Sequence, residues 1–361
     1  MSKTVFVLGA GFSAPARMPV QADLMRDVLG HPSRAGVRKT YKTLFNLLNP
    51  DEMANIPLED VFTMLDRARR SGETIRGLSR KEIERSHTQL LVAITRQFKP
   101  KLTRFGHPAY TSFFSELVRV RIGAGDAAAQ EEDPFSIITL NWDTIPEIVL
   151  SRLGRLGTSP PAVIDYTCYD YDLAGRPGHV PSINRKAREK FNIKVMKLHG
   201  SLNWLVCNSC GRLFSAEPER RSSGVVIAGK RHCRFCKDVV LDPLIITPTL
   251  VKDLAQTHLR MVWHNALMDL QEAERIVFIG YSFPMADFEF RYVLMKAVAG
   301  NADVSVRVLL YPDDTCKDCK RLWERDTIQE RYRSFFGGRD LDFSYGDSGE
   351  FMTQPHRLWN W

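Results

Sequence analysis

The chain has 361 residues, with 50 Lys and Arg against 42 Asp and Glu, a formal charge of +8. This length excludes a peptide-sized scaffold and fits one large α/β domain with insertions, since domains run at roughly 100 to 200 residues. Hydrophobic residues at 44% and charged residues at 25% are ordinary globular values, and no run reaches the roughly 18 to 20 apolar residues that span a bilayer, so a soluble cytosolic chain without membrane contact is expected.

Thr4 to Leu8 (TVFVL) is a β-branched apolar run that begins after three residues, without the basic region and long apolar core of a secretory leader. It ends on Gly9, Gly11 follows, and helical character is expected from about Gln21 to Leu29. From about Arg38 to Val120 the apolar positions, among them Leu44, Leu47, Leu48, Val61, Leu65, Leu90, Leu91 and Ile94, recur at helical spacing with no convincing strand. Gly123 to Asp133 is small and polar, as a surface loop is, and Phe135 to Leu140 resumes the strands. Further strands are expected at Ala162 to Tyr166, Ile193 to Leu198, Leu244 to Ile246, Arg275 to Ile279 and Val304 to Leu310. Most are the continuous apolar runs that parallel sheets bury on both faces. Their alternation with helical stretches predicts an α/β fold: a Rossmann-like, doubly wound, mainly parallel sheet carrying a helical insertion.

Gly9-Ala10-Gly11-Phe12-Ser13-Ala14 fits G-x-G-x-x-G/A directly after a strand, where glycines let a pyrophosphate approach backbone N–H groups. No acidic residue about 20 positions on matches an ordinary dehydrogenase. Cys207-x2-Cys210 and Cys233-x2-Cys236 form two knuckles, and four thiolates so spaced close a tetrahedral structural zinc site. Cys316-x2-Cys319 has no second pair to complete a site, and Cys168 stands alone, so these three read as structural. His199 ends an apolar strand, the position at which open α/β sheets bind ligands, and a histidine there acts as a general base near neutral pH. Asn141-Trp142-Asp143 and Gly280-Tyr281-Ser282-Phe283 mark two more strand ends. The basic stretch from Arg67 to Arg85 lacks interleaved aromatics and contains Glu73, Glu82 and Glu84, so it reads as a solvated helix face, with nucleic-acid binding as the alternative.

GAGFSAPARMP, TLNWD, KLHGSLNW, the two knuckles and GYSF, in that order, resemble the sirtuin superfamily and specifically its bacterial sirtuin-like branch. The resemblance implies an NAD-binding Rossmann-like domain at 1–37 and 126–361, a helical insertion at 38–125 and a zinc module at 204–240. It implies cleavage of the nicotinamide–ribose bond, with structural zinc in Cys207, Cys210, Cys233 and Cys236. Gly9, Ala10, Gly11 and Ser13 would hold the phosphates, Pro19 would belong to the cofactor site, and Asn141 would orient the ribose or a water. Asp143 would take the nicotinamide carboxamide, His199 would be the general base, and Gly280, Tyr281 and Ser282 would line the adenosine end. Arg17-Met18-Pro19-Val20-Gln21-Ala22 lacks the Phe and Arg of the G-I-P-x-F-R stretch of lysine deacylases, and Leu244 to Leu250 does not match their peptide-binding strand. The helical insertion resembles sirtuin-like NAD hydrolases of bacterial antiviral defence. The expected activity is therefore NAD hydrolysis, with lysine deacylation and turnover-free nucleotide binding as alternatives. Such enzymes imply a homo-oligomer and a separately encoded ATPase or nuclease partner; the tail Pro355 to Trp361, ending in two tryptophans, is expected to pack back onto its own core, with a docking segment as the alternative.

Overall fold

The computed structural model describes residues 3–19, 24, 28–29, 35–45, 56–103, 108–122, 133–155, 163–175, 192–218, 231–249, 252, 254–301, 303–310, 320–339, 341–345 and 352. Cys316, Cys319, the tail from Pro355 and most of the Gln21 to Leu29 and Gly123 to Asp133 segments lie outside these residues. Of the expected early helix, Leu24, Val28 and Leu29 are described, helical and buried.

Strand β1 (Thr4–Leu8) is the centre of the molecule, and a short 3-10 turn, Ala10–Ser13, follows it. Helices α1 (Ala35–Phe45), α2 (Leu58–Ser71), α3 (Arg80–Thr103) and α4 (Pro108–Ile122) come next, then β2 (Phe135–Thr139) and α5 (Ile145–Arg155). Strands β3 (Val163–Asp165), β4 (Asp170–Asp172), β5 (Asn192–Lys197), β6 (Gly200–Val206), β7 (Leu213–Ser215) and β8 (Asp242–Ile245) follow. The chain closes with α6 (Thr257–Gln271), β9 (Arg275–Ile279), α7 (Phe288–Ala299), β10 (Ser305–Leu310), α8 (Lys320–Phe336) and β11 (Leu341–Tyr345).

Seven strands form one parallel sheet in the order β11-β10-β9-β1-β2-β5-β3. Thr4 is opposite Phe135 on one side and Arg275 on the other, so the chain winds outward from β1 in both directions. That is the doubly wound Rossmann-like arrangement, with its switch point at the carboxyl end of β1. Every residue of β1 is buried because both faces are covered. Phe6 and Leu8 pack into one cluster with side chains of α1 to α4, and Val5 and Val7 into a second with α6 and α7. The helical segment is thus continuous with the sheet's own core: Phe113 meets Phe6 edge-on at 5.9 Å, and the Tyr110 hydroxyl donates to the Phe12 carbonyl at 2.6 Å.

Local chemistry sets the helix ends. At the start of α3 the Glu82 carboxylate accepts from Ser79 N–H at 2.9 Å, and Ser79 Oγ accepts from Glu82 N–H at 3.4 Å, a reciprocal cap. Helix α2 has Glu59 and Asp60 in its first turn, Arg69 and Arg70 in its last, and stops at Gly72 with φ +71°, matching its dipole and a left-handed cap. Among the described residues of 38–120 the only extended pairing is an isolated bridge between Ile75 and Leu78.

One expected strand joins a different sheet. Leu244 to Ile246 does not extend the parallel sheet; β8 runs antiparallel to β6 in a four-stranded sheet of order β4-β7-β6-β8. The cause is Gly200, whose φ of +73° turns the chain straight from β5 into β6, and a side chain there would overlap the Leu244 carbonyl. No helix among the described residues is long and apolar enough to cross a membrane.

Candidate functional site

A cleft opens at the carboxyl ends of β1, β2, β5 and β9, where the topology reverses. Gly9, Ala10, Ser13, Pro19, Asn141, Asp143, His199, Tyr281 and Ser282 all line it, so four separate motifs meet in one place. Gly11 and Gly280 do not line it. They lie against each other beneath the turn, where a Cβ on Gly11 would come 2.8 Å from the Gly280 Cα and one on Gly280 would come 2.2 Å from the Phe12 nitrogen. Gly280 also has φ +62°, a conformation open to glycine. The N–H groups of Gly9 and Gly11 donate to the carbonyls of Ile279 and Gly280, so these two glycines serve the close approach of two chain segments.

The polar side chains at the turn are oriented by one another. Asn141 Nδ2 donates to the Gly9 carbonyl at 2.7 Å and to Ser13 Oγ at 3.0 Å, which uses both amide hydrogens and leaves Oδ1 as the acceptor. Ser13 Oγ donates in turn to Asp143 Oδ2 at 2.6 Å. Asp143 Oδ1 accepts from Ile145 N–H at 3.1 Å, so the same carboxylate anchors the first turn of α5. A carboxylate has about four lone-pair sites, so with two donors in place Asp143 keeps capacity to accept from a ligand.

Behind Asp143 lies a fully buried ion pair. Lys197 Nζ bonds Glu147 Oε1 at 3.0 Å, with side-chain exposures of 0% and 1%, and also donates to the Asp143 carbonyl. The Tyr166 hydroxyl donates to the same Glu147 oxygen at 3.1 Å, and Asn203 Nδ2 donates to Tyr166. This network fixes the backbone of the Asn141 to Asp143 loop from beneath.

His199 Nδ1 is 3.0 Å from the Leu140 carbonyl, which accepts only hydrogen, so the neutral ring carries its proton there and its lone pair on Nε2. Burial pushes the imidazole below its ordinary value of about 6.5, the Asp287 carboxylate opposes that, and Lys252 reinforces it. The ring is therefore neutral at neutral pH, as a general base must be. Asp287 and Lys252 also line the cleft, and neither was singled out from the sequence. Lys252 lies in an irregular segment with no pattern to mark it, whereas Asp287, seven residues past Gly280 and just before a helix, had a positional signal in its N-cap position. The helical segment closes the cleft with Leu58, Glu59 and Phe98.

The four knuckle cysteines, Cys207, Cys210, Cys233 and Cys236, place their sulfur atoms within 4.8 Å of one another. Tetrahedral zinc with bonds of about 2.3 Å needs sulfurs about 3.8 Å apart, and Cys210 and Cys233 are 3.7 Å apart. Hydrogen bonds from Arg212 outweigh burial and bring the Cys210 thiol down to about 6, while its own bond to Cys210 pushes Cys236 up to about 12. The residues fit structural zinc, which would cross-link a module whose apolar cluster is otherwise small, and Arg212 stacks 4.2 Å above the Phe235 ring beside it. Strand β6 separates His199 from Cys207 and is itself about 20 Å long at 3.3 Å per residue, so this site is remote from the cleft.

No protein-family profile and no curated protein matches the chain. Among solved structures it is similar to Sir2 proteins. Sir2Tm bound to a propionylated peptide aligns with 99% of this chain and 93% of its own, at 13% identity and a TM-score of 0.39. Sir2 in complex with the inhibitor EX-527, 2′-O-acetyl-ADP-ribose and a deacetylated p53 peptide aligns with 99% of this chain and 94% of its own, at 13% identity and a TM-score of 0.37. At those scores the likeness carries no weight for the activity, which rests on the cleft.

The remaining expectations fall elsewhere. Cys168 is buried, and burial beside Asp170 and Asp165 pushes its thiol well up, so it is an inert core residue. The basic residues between Arg67 and Arg85 lie exposed along the end of α2 and the start of α3, away from the cleft lining, with Arg69 bonded to Asp66 at 3.1 Å.

Proposed function

We propose that this chain hydrolyses NAD at the nicotinamide–ribose bond, giving nicotinamide and ADP-ribose. The observation that carries this reading is the meeting of the Gly9 to Ser13 turn, Asn141 and a neutral His199 in one cleft at the sheet's switch point. Asn141 Oδ1 holds a water or ribose hydroxyl, and His199 Nε2 takes its proton. Asp143 accepts from the nicotinamide carboxamide, Gly9, Ala10, Ser13 and Pro19 face the pyrophosphate, and Tyr281 and Ser282 face the adenosine. Loss of neutral nicotinamide leaves an oxocarbenium-like ribose, so the barrier falls when geometry is fixed and bulk water is held off. Leu58 and Phe98 supply apolar cover on that side.

Hydrolysis is preferred to deacylation because the segment after β8 is already engaged. Ile246 N–H donates to the His199 carbonyl, its carbonyl accepts from Trp142 Nε1 at 3.1 Å, and Thr247 Oγ1 donates to Asp66 at 2.6 Å. Unregulated NAD loss would kill the host cell, so the proposal includes restraint in a homo-oligomer or beside a separately encoded ATPase or nuclease, as in antiviral defence.

The test is NAD consumption by purified wild type, Asn141→Ala and His199→Ala, with nicotinamide and ADP-ribose quantified. Turnover is expected to fall by roughly 100-fold or more in each variant. Turnover that persists in either variant, or that appears only when an acyl-lysine peptide is added, overturns the hydrolase reading.

A further inference from the structure

We propose that Asp287 is a positioning residue of this site: clamped by Lys252 and Tyr281, its carboxylate sets the protonation of His199 Nε2 and stabilises the imidazolium formed there. The proposal rests on the hydrolase reading for its catalytic consequence, though not for the pairing itself.

The first observation is a cap that is not made. Asp287 is the N-cap of α7, a position where aspartate ordinarily bonds the first-turn N–H groups and contributes about 1 kcal/mol. Its side chain makes no such bond. Instead Oδ2 accepts from the Tyr281 hydroxyl at 3.0 Å, and Oδ1 lies 3.1 Å from Lys252 Nζ and 3.7 Å from His199 Nε2.

The second observation is Lys252 itself. Its side chain is 2% exposed, and Nζ also donates to the carbonyls of Ala286 and Thr249. A lysine so buried persists only with a counter-charge, and Asp287 is its nearest, with Glu289 Oε2 at 3.6 Å. One cation therefore faces two carboxylates, and the surplus negative charge is directed at the imidazole.

The third is the unmatched nitrogen. His199 Nε2 has no hydrogen-bond partner and lies 3.7 Å from Asp287 Oδ1, so a neutral nitrogen sits beside a carboxylate. That arrangement is unfavourable before proton transfer and favourable after it, so it stabilises the later state selectively. When a hydroxyl O–H breaks and its proton passes to Nε2, the imidazolium that forms lies beside Asp287 Oδ1, 3.7 Å away, and the carboxylate charge stabilises it through space while the new N–H stays directed at the oxygen it came from. The proton leaves to water with the products, balancing the one proton that NAD hydrolysis releases. The charged groups facing His199 are Asp287 and Glu289 from α7 and Lys252 from the segment before α6.

The experiment compares wild type with Asp287→Asn, Asp287→Glu and Lys252→Met. The His199 titration is followed by NMR of imidazole-15N-labelled protein without NAD, and kcat and KM are followed against pH. Asp287→Asn is expected to move the titration to lower pH and Lys252→Met to higher pH, while Asp287→Glu stays near wild type. In Asp287→Asn, kcat is expected to fall roughly 10- to 100-fold with KM within about twofold. An unmoved His199 titration in natively folded Asp287→Asn, or kcat there equal to wild type, overturns the proposal. Should the titration move as stated in a chain whose wild type does not consume NAD, the pairing stands and the hydrolase reading falls.

Discussion

Lys197 shows how much of the site is held from below the surface. It is a lysine with no exposure, balanced by Glu147 at 3.0 Å, and it also holds the carbonyl of Asp143, whose side chain orients Ser13 and through it Asn141. Breaking a buried pair by removing one partner leaves an uncompensated charge and costs about 3 to 5 kcal/mol, whereas replacing both by apolar groups is often neutral. Lys197→Met is therefore expected to lower the urea midpoint sharply, and Lys197→Met with Glu147→Leu to recover most of it. Equal midpoints for wild type and Lys197→Met would show that the pair contributes nothing. The double variant still lacks the donor to Asp143, so its stability should recover further than its NAD turnover. The sequence displays Lys197 as one letter of KLHGS and gives no hint of this role, because Glu147 lies 50 residues away on α5.

At the scale of the element, legibility followed burial. Thr4–Leu8 and Arg275–Ile279 were readable to the residue, because a strand covered on both faces must be a continuous apolar run. Strands β4 (DYD) and β7 (LFS) gave no signal, being three residues long and held by the small sheet around the knuckles. Strand β6 was hidden in the motif after His199, since it begins at the glycine that redirects the chain. The knuckles themselves were legible from spacing alone, because paired C-x2-C turns bring four thiols within 4.8 Å of one another. If zinc cross-links this module, a chelator should release about one equivalent of metal, and Cys233→Ser should abolish retention. The near-ultraviolet signal of the buried Trp204 would change, while the far-ultraviolet signal of the parallel sheet and its helices persists. Loss of metal with no change in either signal would remove the structural role.

For the whole molecule, the motif residues of the cleft were legible one by one, but their charge environment was not. His199, Asp287 and Lys252 come from three separate connections, and only the winding of the sheet brings them together. That environment also ties global stability to pH. Burial depresses the His199 value in the folded chain below its unfolded value of about 6.5, so the unfolded state binds more protons as pH falls. The contribution is fully present above about pH 6.5 and is lost as pH falls through the folded value. Urea unfolding at pH 7.5 and 5.5 should therefore show a loss of stability on acidification that is smaller in His199→Gln, which keeps the ring's approximate shape without its titration. An identical loss in both proteins would mean that the imidazole titrates alike folded and unfolded, and hence that Asp287 and burial cancel at Nε2. Asp287→Asn removes the group that opposes the depression, so its loss on acidification should exceed that of wild type. The three proteins ranked in that order would link the charge array at the cleft to the stability of the fold that assembles it.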